Sequence, residues 1–148
     1  MPHDHDQNAT LVLVDDDSED ALMLRTAAAR GDIDVHIVHL ERGQSFLDAI
    51  AQGDLPPRSL VLLDLNMPTM DGFTVLTRLR DLTTGWSLPV VIYSTSSDQV
   101  QIDRAFAVGA NAYLTKPRSL TQTIDVVGAL MNHWFVHGHL PIWRGEAR

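Results

Sequence analysis

The chain has 148 residues, the size of one domain that can bury its own hydrophobic core. It contains no cysteine, which excludes a disulfide framework, a thiolate metal site and a cysteine nucleophile and makes the cytoplasm the expected compartment. The net charge of −8 argues against nucleic acid or an anionic membrane surface as the main partner, and no stretch approaches the ~20 apolar residues of a transmembrane helix.

Short apolar runs, rich in Val, Ile and Leu, alternate with helical patterns along the chain. Runs of this kind are typical of strands that are buried on both faces of a parallel sheet. The predicted strands cover residues 11–14, 35–39, 59–63, 90–93 and 112–115. Five strand–helix repeats predict an α/β fold in which helices cover both faces of the sheet.

Capping residues and glycines delimit a helix after each predicted strand. Ser18 is the predicted N-cap of the first helix, and Asp98 is the predicted cap of the fourth. The helices begin near residues 18, 44, 72, 98 and 120. The first, second and fourth end near residues 31, 52 and 109, and the last is expected to reach Trp134 or Phe135.

Chemically active side chains follow the strands at the edge where parallel strands end and ligands of such sheets gather. Asp15 and Asp16 follow the first strand, and Asp64 follows the third. Ser94 and Lys116 follow the fourth and fifth. Three carboxylates within a few Å of one another repel unless a cation neutralises them, and oxygen ligands of this kind suit Mg²⁺. We therefore expect phosphoryl chemistry at this edge, with an aspartate as the nucleophile.

Four motifs carry a resemblance that covers about residues 10–135. They are Val-Asp-Asp-Asp at 14–17, Leu-Asp-Leu-Asn-Met-Pro-Thr-Met-Asp-Gly at 63–72, Tyr-Ser-Thr at 93–95 and Ala-Tyr-Leu-Thr-Lys-Pro at 112–117. In this order and combination they resemble the receiver domain of two-component response regulators. The resemblance implies a flavodoxin-like fold, a doubly wound five-stranded parallel sheet in the order 2-1-3-4-5.

The same resemblance implies a role for each site residue. Asp64 is the residue that a sensor histidine kinase phosphorylates. Ser94 bonds the phosphoryl group, Lys116 forms an ion pair with it, Tyr113 is the aromatic switch residue, and Pro117 follows a cis peptide bond. The implied Mg²⁺ ligands are Asp15, Asp16, Asp64 and the main-chain carbonyl of Asn66.

The predicted receiver domain covers residues 10–138, after a polar, disordered N-terminus over residues 1–9 and before a C-terminal extension over residues 139–148. The extension is too short for an effector domain, so we expect the output to be a binding surface. Trp134, Phe135 and Trp143 lie within ten residues of one another. Apolar patches of this kind usually mark an interface, and Trp is enriched at its centre.

The segment that begins at Trp134 resembles the C-terminal region of single-domain regulators that are encoded with phytochrome-type sensor kinases. This resemblance implies a homodimer through the fifth strand and the last helix. The implied interface residues are Tyr113, Trp134, Phe135 and Trp143. The alternative, a tail that folds back over its own domain, stays open at this point.

Two other functions also stay open. A phosphohydrolase of the haloacid dehalogenase type uses Asp-x-Asp after the first strand, which residues 15–17 provide, but Glu19 stands where Thr or Val is expected. A degenerate receiver that acts as a scaffold would lack a site residue, and none is missing. The favoured reading is a phosphoacceptor switch and not an enzyme with a free substrate. Asp17 and Asp20 are interpreted as caps or charge support, and no histidine is assigned a catalytic or zinc role.

Overall fold

The computed structural model describes residues 9–82, 87–138 and 140. The strands in this part of the chain are β1 (Thr10–Val14), β2 (His36–Leu40), β3 (Ser59–Leu63), β4 (Val90–Ser94) and β5 (Ala112–Thr115). All pairings between them are parallel, and they form a sheet in the order β2-β1-β3-β4-β5. The predicted flavodoxin-like α/β topology is therefore confirmed.

The α-helices of the described residues are α1 (Ser18–Arg30), α2 (Gly43–Gln52), α3 (Gly72–Asp81), α4 (Gln99–Val108) and α5 (Leu120–Met131). The prediction of Ser18 as the first N-cap was wrong by one position, because the Asp17 carboxylate accepts the hydrogen bond from the Glu19 amide. Asp98 caps α4 as predicted. Among the described residues, no helix is long and apolar enough to cross a bilayer.

Side chains alternate between two hydrophobic layers, one on each face of the sheet. Val12 and Val14 of β1 pack with residues of α2, α3 and α4, whereas Leu11 and Leu13 pack with residues of α1 and α5. Every residue of β1, β3 and β4 is buried, while the edge strands β2 and β5 are partly exposed. Burial on both faces explains why the central strands are continuous apolar runs.

The end of the last helix differs from the prediction. The α-helix ends at Met131, and a π-helical segment (Asn132–His137) carries Trp134 and Phe135. Both aromatic side chains are half-buried against the layer formed with α1 and α5, and the Arg58 guanidinium lies 5.5 Å from the centroid of the Phe135 ring. Residues 1–8, 139 and 141–148, including Trp143, lie outside the described residues, so the domain bounds and this interface residue stay predictions.

A close backbone approach makes Gly72 sensitive to substitution. A Cβ atom at this position would lie 2.2 Å from the Asp64 carbonyl oxygen, whereas at Gly128 the nearest atom would be 4.0 Å away. We expect Gly72→Ala to lower the free energy of unfolding by about 2 kcal/mol or more, and Gly128→Ala to raise it by about 0.5–1 kcal/mol. Urea denaturation followed by circular dichroism measures both, and equal stabilities of the two variants would contradict this packing.

Candidate functional site

The strand register brings the predicted site residues together at the carboxyl edge of the sheet. Val14 is in register with Leu63, so Asp15 and Asp64 leave adjacent strands side by side. The Asp64 amide donates to the Val14 carbonyl over 2.9 Å, which extends the β1–β3 pairing by one residue. On the other side, the Lys116 amide donates to the Ser94 carbonyl over 2.7 Å. The ends of β1, β3, β4 and β5 thus form one site.

Three carboxylates form the acidic part of this site. Asp15, Asp16 and Asp64 each offer an oxygen, and these oxygens lie within 4.8 Å of one another. Asp15 is fully buried and Asp64 is 5% exposed, whereas Asp16 is exposed. Asp15 Oδ1 accepts the amide of Asp17 over 2.9 Å, while Oδ2 is buried without a hydrogen-bond partner.

This carboxylate set fits a hard divalent cation. Asp15 Oδ2 is a buried carboxylate oxygen without a hydrogen bond, and buried charge of this kind is costly unless positive charge lies beside it. Lys116 Nζ lies 2.9 Å from this oxygen as an ion-pair partner, although its direction does not fit a hydrogen bond. Asp15, Asp16 and Asp64 could therefore hold Mg²⁺, and the role of the Asn66 carbonyl stays a prediction.

Lys116 contacts a fourth carboxylate that the sequence reading left out of the site. Its Nζ donates to Asp20 Oδ2 over 2.7 Å, and lies 2.9 Å from Asp15 Oδ2 and 3.6 Å from Asp64 Oδ1. Asp20 stands in the first turn of α1, where it was interpreted as charge support for the helix. No local pattern in the sequence links this pair, because Asp20 and Lys116 lie 96 positions apart. Lys116 is the only lysine of the 148 residues.

Burial dominates the electrostatics of the acidic cluster. Desolvation raises the pKa of Asp15 to about 6; the charge of Asp64 adds to the rise, while Lys116 and the Asp17 amide oppose it. Desolvation also raises the pKa of Asp64, against Lys116 and the Asn66 amide. Burial on its own would lower the pKa of Lys116, but its hydrogen bond with Asp20 and the negative charges of Asp15 and Asp64 outweigh burial and raise the pKa.

Ser94 and Tyr113 converge on the loop that follows β4. Ser94 is fully buried, and its Oγ accepts the Ser96 amide over 3.2 Å. The Tyr113 hydroxyl donates to the Ser96 carbonyl over 2.7 Å, and its half-buried ring packs against the layer that contains α2, α3 and α4. Ser96, which the sequence reading did not single out, thus joins the two predicted switch residues.

Two further features were not anticipated correctly. His39 at the end of β2 lies with Nε2 2.7 Å from the Asp15 carbonyl, to which it donates, so this histidine supports the backbone beside the acidic cluster. The Lys116–Pro117 peptide bond is trans, so the expectation of a cis bond before Pro117 was wrong. The position of His39 in the sequence does not reveal its contact, because the contact depends on β2 pairing beside β1.

Comparisons with known proteins agree with this geometry. A family model described as the response regulator receiver domain matches residues 11–127. Response regulator Rcp1 of Synechocystis is 29% identical over 135 residues, which are 88% of this chain and 92% of Rcp1. A solved structure of the Mn²⁺-bound form of response regulator Rcp1 matches with a TM-score of 0.73 and 28% identity, covering 90% of this chain and 99% of that one.

Two other solved structures are similar over the same extent. The phosphorylated cyanobacterial phytochrome response regulator RcpA has a TM-score of 0.78 and 28% identity, covering 90% of this chain and 99% of its own. RPA3017, a response regulator in red light signalling of R. palustris, has a TM-score of 0.80 and 31% identity, covering 90% of this chain and 98% of its own. The likeness therefore includes nearly the full length of each relative.

The buried Asp15 carboxylate should destabilise the metal-free protein when it is ionised. Its pKa of about 6 in the folded state lies above the ordinary 3.8, so stability falls as pH rises from 3.8 to 6. We expect Asp15→Asn to raise the free energy of unfolding near pH 7 by roughly 1–3 kcal/mol, with a smaller gain near pH 4. Urea denaturation with a chelator present measures this difference. The exposed Asp16→Asn is the matched control, and an equal gain in both variants at both pH values would contradict the assignment.

Proposed function

The chain belongs to the response regulator receiver domain family, and from this premise we propose that it is a single-domain response regulator phosphorylated on Asp64 by a sensor histidine kinase. One observation carries the proposal: Asp64 lies among the carboxylates of Asp15 and Asp16 with the Lys116 ammonium 3.6 Å away. A nucleophilic carboxylate with positive charge beside it is what transfer of a phosphoryl group to an aspartate requires.

In the proposed reaction, Asp64 attacks the phosphorus atom of a phosphohistidine. A bond forms between a carboxylate oxygen and phosphorus, the bond from phosphorus to the histidine nitrogen breaks, and its electron pair stays on that nitrogen. Mg²⁺, when held by Asp15, Asp16, Asp64 and the Asn66 carbonyl, would neutralise charge on the phosphoryl oxygens. Lys116, whose Nζ lies 3.6 Å from Asp64 Oδ1, would supply a second positive charge.

The added phosphoryl group would act on the loops after β4 and β5. It brings about −1.5 to −2 units of charge and three acceptor oxygens, which attract the Lys116 ammonium and the Ser94 hydroxyl. Ser94 Oγ accepts the Ser96 amide, and Tyr113 donates to the Ser96 carbonyl, so a shift at Ser94 reaches Tyr113 through one residue. We infer that this connection is the phosphorylation-sensitive element of the protein.

Covalent phosphorylation of Asp64 is directly measurable. Incubation with acetyl phosphate and Mg²⁺ should add the mass of one phosphoryl group to the intact protein, and a chelator should abolish the gain. Asp64→Asn should prevent the gain, whereas the exposed control Asp125→Asn on α5 should retain it. No mass gain in the wild type would overturn the proposal. Hydrolysis of small phosphate esters that is lost in Asp15→Asn but kept in Asp64→Asn would favour the rival phosphohydrolase.

We propose a phytochrome-type sensor histidine kinase as the partner, in the cytoplasm, with neither nucleic acid nor a membrane as a binding target. The names of the relatives RcpA and RPA3017 refer to phytochrome and to red light signalling, and similarity extends over 90% of this chain in both cases. The excess of acidic residues and the absence of cysteine support the same setting.

The output is proposed to be a homodimer through β5 and α5. The described part of this face has a groove of about 360 Å³ lined mainly by apolar side chains, including Leu114, Val126, Leu130 and Trp134. Val136, in the adjoining π-helical segment, is 65% exposed. Tyr113, Trp134 and Phe135 are each half-buried within their own chain and keep part of their surface for a partner.

Dimerisation is tested by size-exclusion chromatography with multi-angle light scattering. We expect a dimer for the wild type with acetyl phosphate and Mg²⁺, and a shift toward monomer for Val136→Asp, because a charge is costly in an apolar interface. Leu22→Asp is the matched control, since Leu22 on α1 is also 65% exposed and lies outside the proposed face. A wild-type monomer at high concentration, with and without the phosphodonor, would contradict the dimer.

A further inference from the structure

We propose that Asp20 is a positioning residue that divides the charge of Lys116 and so keeps Asp15 and Asp64 open to the metal ion. The Lys116 Nζ lies 2.7 Å from Asp20, closer than the 2.9 Å to Asp15 and the 3.6 Å to Asp64. The shortest contact of the ammonium is therefore with a carboxylate outside the metal-ligand set. The inference rests on the proposed Mg²⁺ site and adds a residue that increases the affinity of that site for the ion.

Packing of α1 fixes Asp20 at this position. The next residue, Ala21, and Leu24 one turn later are buried against the sheet, which orients the first turn of the helix. Asp20 then reaches Lys116 across 96 positions of sequence, so the contact is tertiary. The Lys116 side chain is 11% exposed and that of Asp20 is 26% exposed, so both charges are partly shielded from water.

The hydrogen bond to Asp20 affects metal binding because the Lys116 ammonium and a metal cation compete for the carboxylate oxygens of Asp15 and Asp64. While Asp20 accepts the hydrogen bond of Lys116, the ammonium meets Asp15 Oδ2 only as an ion pair at 2.9 Å and stays 3.6 Å from Asp64 Oδ1. Without Asp20, the ammonium would turn its donors to Asp15 and Asp64. A cation would then have to displace it, so metal affinity would fall.

Side-chain NMR tests the contact itself. Because Lys116 is the only lysine, labelling with ¹³C,¹⁵N-lysine gives one set of lysine signals without further assignment. In metal-free protein, Asp20→Asn should shift the Lys116 ¹³Cε and ¹⁵Nζ resonances. Glu19→Gln removes the same charge from the neighbouring exposed position and should leave these resonances in place. Unchanged signals in Asp20→Asn would overturn the proposal.

A double-mutant cycle on Mg²⁺ binding tests the consequence, with isothermal titration calorimetry on unphosphorylated protein. As a single substitution, Asp20→Asn should weaken Mg²⁺ binding about three- to tenfold. Part of this loss comes from the changed contacts of Lys116, and part comes from the removal of a negative charge near the metal ion. In the Lys116→Met background the loss should be smaller by about threefold or more, and Asp20→Glu should recover part of the wild-type affinity. Equal losses in both backgrounds would mean a direct charge effect and would overturn the positioning role.

These outcomes separate the inference from the proposed function. If Asp20 and Lys116 are coupled in Mg²⁺ binding but the protein gains no phosphoryl mass, the positioning role is supported and the proposed phosphorylation of Asp64 is wrong. Phosphorylation of Asp64 without that coupling would do the reverse. Thermal unfolding of each variant shows whether its fold is intact, and the Lys116 signals provide a readout that a loss of stability alone does not move.

Discussion

The ion pairs of Lys116 hold the functional edge of this protein together. Asp15 is fully buried and Asp64 nearly so, and desolvation raises the pKa of both carboxyls. A single ammonium compensates them, and it comes from the end of β5 with the aid of Asp20 on α1. Negative charge that is only partly neutralised is costly in the folded state, and the same residual charge attracts a cation to the site. The same incompletely neutralised charge thus lowers the stability of the fold and favours binding of a cation.

The parallel sheet places these charged side chains next to one another. Parallel pairing sends β1, β3, β4 and β5 to the same edge, and the hydrogen bonds from the Asp64 and Lys116 amides extend that pairing into the site. The backbone of Asp15 is supported from the other side by His39. Ser94 and Tyr113 meet at Ser96, so β4 and β5 are both joined to the β4–α4 loop by a hydrogen bond. In the proposed switch, a change in charge at Asp64 would reach Tyr113 through this loop without rearrangement of the core.

Two aromatic residues near the C-terminus pack partly against their own domain, which their apolar character alone does not show. Trp134 and Phe135 are half-buried on the layer formed with α1 and α5, in a π-helical continuation of the last helix. Part of each aromatic surface is thus used inside the chain, as the fold-back alternative requires, and part of it is exposed. The half-burial of these two side chains is compatible with both interpretations, which is why composition alone did not separate them, and the dimer interface stays a proposal.

The sequence by itself determined where the strands lie, because burial on both faces turns central strands into apolar runs, and it determined the acidic cluster, because Asp15, Asp16 and Asp64 directly follow those runs. The strand order followed from the resemblance of the motifs to receiver domains and not from the apolar runs. Only the tertiary structure decided the partners that lie across the fold. Asp20 meets Lys116 because packing sets the rotation of α1, and His39 meets Asp15 because β2 ends beside β1. Periodicity reports which face of an element is buried, but the contacts of its ends depend on the relative placement of whole elements.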